Sequence, residues 1–282
     1  MSRIIALVTF ALLVAGSNAF AQSAGLPTTQ PSLIQIIRED VKIGHAADHV
    51  KTEVGWPAAF EKANSPYYSL ALVSLTGGSE AWFVVPYDSH AAMADEMKRS
   101  SDDPVLAAEL ARLARADAEH ITSVRSIHAM ARKDLSHGAY PDVSKQRFFE
   151  VTIMRVRPGH QSTFAAAAKA YASASGRSAP AVNYRIYEVM AGMPGPTYLI
   201  FSSTTSFGDF DKVMAGGEAT MKGATAEERA TLEKFGKESL LNEETHRFRV
   251  DPEMSYVPKE VRAQDPAFWL PKKPAAKTST QP

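Results

Sequence analysis

His45, His49 and Glu53 recur at i, i+4 and i+8. A continuous helix would turn all three to one side, and two imidazoles with a carboxylate form a plausible set for a divalent metal ion. His128 and His246 are candidate proton acceptors, because imidazole titrates near neutral pH. Six aromatic residues, Trp56, Trp82, Tyr68, Tyr87, Tyr171 and Tyr187, fall in stretches that read as a helix or as hairpin strands. Together they could line an apolar small-molecule pocket with a few polar tips. Each has a plainer reading. Aromatic residues dominate cores, strand histidines are commonly satisfied where they stand, and exposed His and Glu on an amphipathic helix are ordinary. No metal and no cofactor is therefore expected. The sequence has no G-x-S-x-G elbow, P-loop, dinucleotide glycine fingerprint or H-E-x-x-H zinc helix, so acyl transfer by a known elbow, phosphoryl transfer and nicotinamide chemistry lose ground.

Composition bounds the partners. The 282 residues carry 31 basic and 31 acidic side chains and no cysteine. Zero formal charge offers no footprint for nucleic acid or an anionic membrane, and the lack of cysteine removes disulfides, thiolate sites and lipidation. Residues 1–21, "MSRIIALVTFALLVAGSNAFA", place Arg3 before an apolar run, then Ala19 and Ala21 ahead of a cut before Gln22. They read as a secretory signal peptide, too short in its apolar part to span a bilayer. The mature chain is expected to be periplasmic or secreted, with no membrane attachment after cleavage.

These residues need elements to position them, and the elements are written twice. At an offset of 115, "LIQIIREDVKIGHAADH" from Leu33 faces "FFEVTIMRVRPGHQSTF" from Phe148, with Gly44 on Gly159 and His45 on His160. A period this long indicates a duplicated domain, not a solenoid. The recurring Gly-His reads as the corner of a fold, since a strand turning directly into a helix favours glycine. Each half then shows a helix, two strands joined by a glycine turn, a second helical region and a last strand. Asp103 with Pro104, and Thr225 with Glu228, mark the starts of the second helices. The expected fold is α+β: ferredoxin-like βαββαβ repeats over 33–133 and 147–250, joined by a linker at 134–146. Their bare sheets would pack face to face as a pseudo-dimeric barrel, so the chain is expected to exist as a monomer. The Pro-rich tail, 251–282, is expected to lose order after about 270, with Phe268 and Trp269 as anchors.

A strand ending "VRPGH" before "QSTFAAA" resembles the Val-x-Pro-Gly corner and Phe-bearing helix of the dimeric α+β barrel superfamily, which includes antibiotic biosynthesis monooxygenase domains. The first copy carries Ile43 where that pattern has proline. The resemblance implies either cofactor-free oxygenation of an aromatic substrate or, as in the similar chlorite dismutase-like proteins, haem held by a single histidine. The residues themselves favour an exported protein that binds a small apolar or aromatic molecule; they do not decide whether it is an enzyme.

Overall fold

A computed structural model describes residues 25–270. The expected signal peptide and the end of the Pro-rich tail lie outside the described residues. The strands of the first half are β1 (Leu33–Val41), β2 (Ser69–Ser74), β3 (Glu80–Tyr87) and β4 (Ile121–Ala131), and those of the second are β5 (Phe148–Val156), β6 (Arg185–Ala191), β7 (Thr197–Thr204) and β8 (Leu240–Tyr256). Between them run α1 (Ala46–Glu53), α2 (Gly55–Lys62), α3 (His90–Asp102), α4 (Pro104–Asp117), α5 (Gln161–Gly176), α6 (Phe210–Gly223) and α7 (Ala226–Glu238).

Local chemistry sets the boundaries. Asp103 caps α4 by accepting hydrogen bonds from the amides of Val105 and Leu106, and Thr225 and Glu228 cap α7 reciprocally. Gly44 and Gly159 adopt φ of +85° and +87° in open space, so the backbone angle and not crowding demands glycine at both corners. The same places also carry the same irregularity. The β1–β4 ladder shifts register between Asp40 and Val41, and the β5–β8 ladder does so between Arg155 and Val156.

The architecture corrects the sequence-based expectation. The strands do not form two open ferredoxin-like βαββαβ sheets packed face to face. They form one closed antiparallel barrel of eight strands in the order β1-β3-β2-β8-β5-β7-β6-β4, with the helices outside. Closure has a physical reason: the outer strands of each half would otherwise expose unpaired backbone. Instead β2 pairs with β8, where Leu72 faces Val250, and β4 pairs with β6, where Ala129 faces Val189. Side chains that would have met between two stacked sheets become the filling of one cylinder.

Ile36, Leu72, Ile127, Val151, Leu199 and Phe248 make up the middle of that filling. A charged group shares it. Arg38 donates to Glu80 Oε1 at 2.6 Å, Trp82 Nε1 donates to Glu80 Oε2 at 2.7 Å, and the Arg38 guanidinium lies 5.0 Å from the indole centre. After β8, α8 (Lys259–Gln264) and α9 (Pro266–Trp269) return to the barrel. Trp269 is buried in the same core, and Arg147 stacks 3.7 Å from the Phe268 ring centre.

Glu80 satisfies a buried cation and a buried indole at once. Glu80→Ala leaves both unpaired and should cost about 3–5 kcal/mol. Denaturant unfolding of the two proteins measures it, and a loss below about 1 kcal/mol would mean that the pair is solvated.

Candidate functional site

One end of the barrel is not filled. A cavity of about 310 Å³ opens there among Ile34, Leu72, Val84, Phe149 and Phe201 from the strands. Leu26, Pro27 and the segment from Ala139 to Val143 close over it. Tyr68, Tyr140, Tyr184 and Tyr187 contribute phenols to the wall, and among the described residues Arg185 is the one charged side chain lining it. No carboxylate among the described residues opposes that charge. The guanidinium donates instead to carbonyl oxygens, through Nη1 to His137 and Tyr184 at 2.8 Å each, and through Nη2 to Gly138 at 2.8 Å and to Ala139. Arg185 thereby pins the linker over the mouth. Gly138 is required in that loop: at φ +76°, a Cβ would stand 1.7 Å from Asn183 Oδ1. Burial lowers the pKa of Arg185 and pushes the Tyr140 hydroxyl up to about 12. The same cause raises Tyr187 further. At neutral pH these phenols are uncharged and can donate hydrogen bonds.

A second cavity, of about 390 Å³, lies outside the barrel between the β5–β7 face and helices α5, α6 and α7. Met154, Phe164, Ala168, Tyr171, Val213 and Phe235 line it, with Glu150 and Glu243 as the acidic residues of its wall. Glu150 is already paired with Arg247 at 2.8 Å.

The matching layer of the first half holds polar groups. Glu39 on β1, His49 and Glu53 on α1 and Asp117 at the end of α4 are all buried, and each brings one ligand-type atom to within 4.8 Å of the others. His49 Nε2 is 2.9 Å from Glu39 Oε2 and 3.5 Å from Asp117 Oδ1. Thr52 donates to Asp117 Oδ1 at 3.0 Å. Glu53 Oε1 and the neighbouring Trp56 Nε1 are buried and neither completes a well-aligned hydrogen bond, although the indole and Asp117 lie close enough to act on the Glu53 carboxyl. Burial, and then the charges of Glu39 and Asp117, push the Glu53 carboxyl up to about 10, and burial raises Glu39 as well.

The sequence-predicted residues are divided among these places. Tyr68 and Tyr187 line the barrel cavity and Tyr171 the outer one. Trp82 belongs to the barrel core, Trp56 packs between α2 and α4, and Tyr87 packs against Met93 of α3, so these three line neither. His246 lies 6.2 Å from Trp82, ring to ring, and His128 is half-buried on β4; neither lines either cavity. Of the candidate trio His45, His49 and Glu53, the last two lie together and His45 lies apart. His45 is the residue before α1, and its Nδ1 is 3.1 Å from Nδ1 of His120. His49 and Glu53, expected to be exposed, are 2% and 3% exposed. Sequence reasoning missed Arg185, Tyr140, Glu39 and Asp117. Only Glu39 left a signal, a carboxylate on the same strand face as the apolar Ile37 and Val41.

No protein-family model and no curated protein matches this sequence. Solved structures do match in fold. A candidate monooxygenase from Fusobacterium nucleatum superposes with a TM-score of 0.53 at 8% identity, over 78% of this chain and 92% of that one. An anthrone oxidase-like protein gives 0.50 at 10% identity, over 80% and 94%. A variant chlorite dismutase from Candidatus Nitrospira defluvii gives 0.50 at 12% identity, over 84% and 96%. These likenesses, all at 12% identity or less, bear on the fold alone and say nothing about this chain's chemistry.

Glu53 carries a pH dependence of definite sign. Its ordinary value is 4.5, so the unfolded chain releases this proton near pH 4.5 while the folded chain holds it up to about pH 10. The folded state binds more protons across that window, and stability falls as pH rises through it. In chelator, Glu53→Gln should flatten the decline between pH 5 and 9; an unchanged slope in thermal unfolding would show that Glu53 is ionised in the fold.

Proposed function

We propose that this is an exported protein that binds a small apolar or aromatic molecule in the barrel cavity, and that it does so as a monomer. The observation that carries this reading is the cavity wall: apolar strand residues, four phenols and a single cation with no acid beside it. A cation facing a low-dielectric space favours a ligand with an acidic or electron-rich end, while the strand residues favour an apolar body. Export rests on residues 1–21, and monomeric behaviour on the fact that one chain closes the barrel.

The oxygenase reading draws on the outer cavity and on the fold shared with proteins described as monooxygenases. It ranks second, because among the described residues no histidine lines either cavity, and of the two carboxylates in the outer wall Glu150 is already paired with Arg247. The same fact leaves a haem group in either cavity without the single histidine that chlorite dismutase-like proteins use.

Titration with 2-naphthoate, followed by its fluorescence, separates the two cavities. Val84→Phe fills the barrel cavity and should weaken binding at least tenfold, whereas Ala168→Phe fills the outer one and should leave it unchanged. The opposite pattern would move the site to the helix layer, and no effect from either would remove both cavities from consideration.

A further inference from the structure

Three carboxylates are buried around one imidazole in the helix layer of the first half, and the fold does not require them there. At the offset of 115, Glu39, His49 and Glu53 correspond to Met154, Phe164 and Ala168. The equivalence is structural as well. The two strands share their register shift, and α1 and α5 both begin one residue after the corner histidine. In the second half those three side chains line an apolar cavity. The same architecture is thus built with hydrocarbon at these positions, and buried ionic groups are often no more stable than hydrocarbon of similar volume.

The charges in the first half are also incomplete. Among the described residues, no lysine or arginine acts on Glu39 or Glu53. His49 is the one group in the cluster that can carry positive charge, against three carboxylates. Glu53 is 3% exposed, and the nearby Trp56 Nε1 makes no well-aligned hydrogen bond to its Oε1. An unpaired buried carboxylate oxygen is costly unless a proton or a cation satisfies it.

We propose that Glu39, His49, Glu53 and Asp117 bind one divalent first-row metal ion that ties β1, α1 and the end of α4 together. One imidazole and three carboxylates suit Zn²⁺ or Mn²⁺. The spacing is compatible: ligand atoms about 2.0–2.2 Å from a common ion stand about 3.0–3.5 Å apart. His49 Nε2 lies 2.9 Å from Glu39 and 3.5 Å from Asp117. The Thr52 hydroxyl lies 3.0 Å from Asp117 Oδ1 and 2.8 Å from the His49 carbonyl oxygen, within reach of two of the four residues, as outer partners are in metal centres. The burial of all four residues makes this a closed, structural site, because no side is left open for substrate. The site is separate from the barrel cavity and does not depend on what that cavity binds.

The test uses the full chain, stripped with chelator and then offered Zn²⁺, Mn²⁺ or Co²⁺ alone. The expected result is one ion per chain by elemental analysis, a rise in unfolding temperature, and for Co²⁺ the visible absorption of a nitrogen and oxygen ligand set. Glu53→Gln keeps the side-chain shape and should fold, yet bind at least tenfold more weakly and lose most of the temperature rise. His246→Ala, on β8 beside Trp82 and outside the four-residue cluster, should retain both. Failure of the wild-type chain to take up any of the three ions at 100-fold excess would overturn the proposal. So would equal uptake by wild type and Glu53→Gln, which would place the ion elsewhere.

Discussion

Everything in this molecule depends on two ladders that join its halves, β2 with β8 and β4 with β6. Without them each half is a four-stranded sheet with exposed edges and one bare apolar face. With them the bare faces turn inward and the edges disappear. The cavity at the barrel end, the buried Arg38, Glu80 and Trp82 group and the docking of Trp269 all lie inside a cylinder that neither half makes alone. Long-range pairing of this kind is entropically expensive to initiate, so assembly is expected to be slow relative to a helical protein of this size.

Closure fixes the inner layer and leaves the outer layer free to differ. The two helix-to-sheet spaces are positioned alike, yet one holds hydrocarbon and a cavity while the other holds four ionisable groups. A low dielectric surrounds both, so charges in the first half are strongly coupled and any imbalance must be relieved by a proton or a cation. In the barrel cavity the relief is different. Arg185 is held by four backbone carbonyls, whose partial charges satisfy its Nη donors without neutralising it, while its buried Nε meets no partner.

Much of the fold was legible in sequence. The strands, the glycine corners and the caps at Asp103 and Thr225 follow from short-range rules that need only neighbouring residues. Barrel closure was not legible, because strand patterning shows that a face is apolar but not whether its edge strands find partners. The site was read in fragments for the same reason. Tyr68, Tyr187 and Tyr171 were named, but the two cavities could not be separated, since inward and outward strand positions both carried aromatics. Helical spacing puts His49 and Glu53 on one side of α1, while Glu39 comes from β1 and Asp117, 64 residues beyond Glu53, from the end of α4. His45 failed because the helix begins one residue after it, which turned its ring toward His120.

The central claim is that one chain encloses a ligand within its own barrel. The direct measurement is anomalous diffraction from crystals of the full chain soaked with 6-bromo-2-naphthoate. A bromine peak between Val84, Phe201 and Tyr187, in the barrel cavity, is the predicted result. A peak only between α5 and the outer face of the barrel, or only at the protein surface, would contradict it.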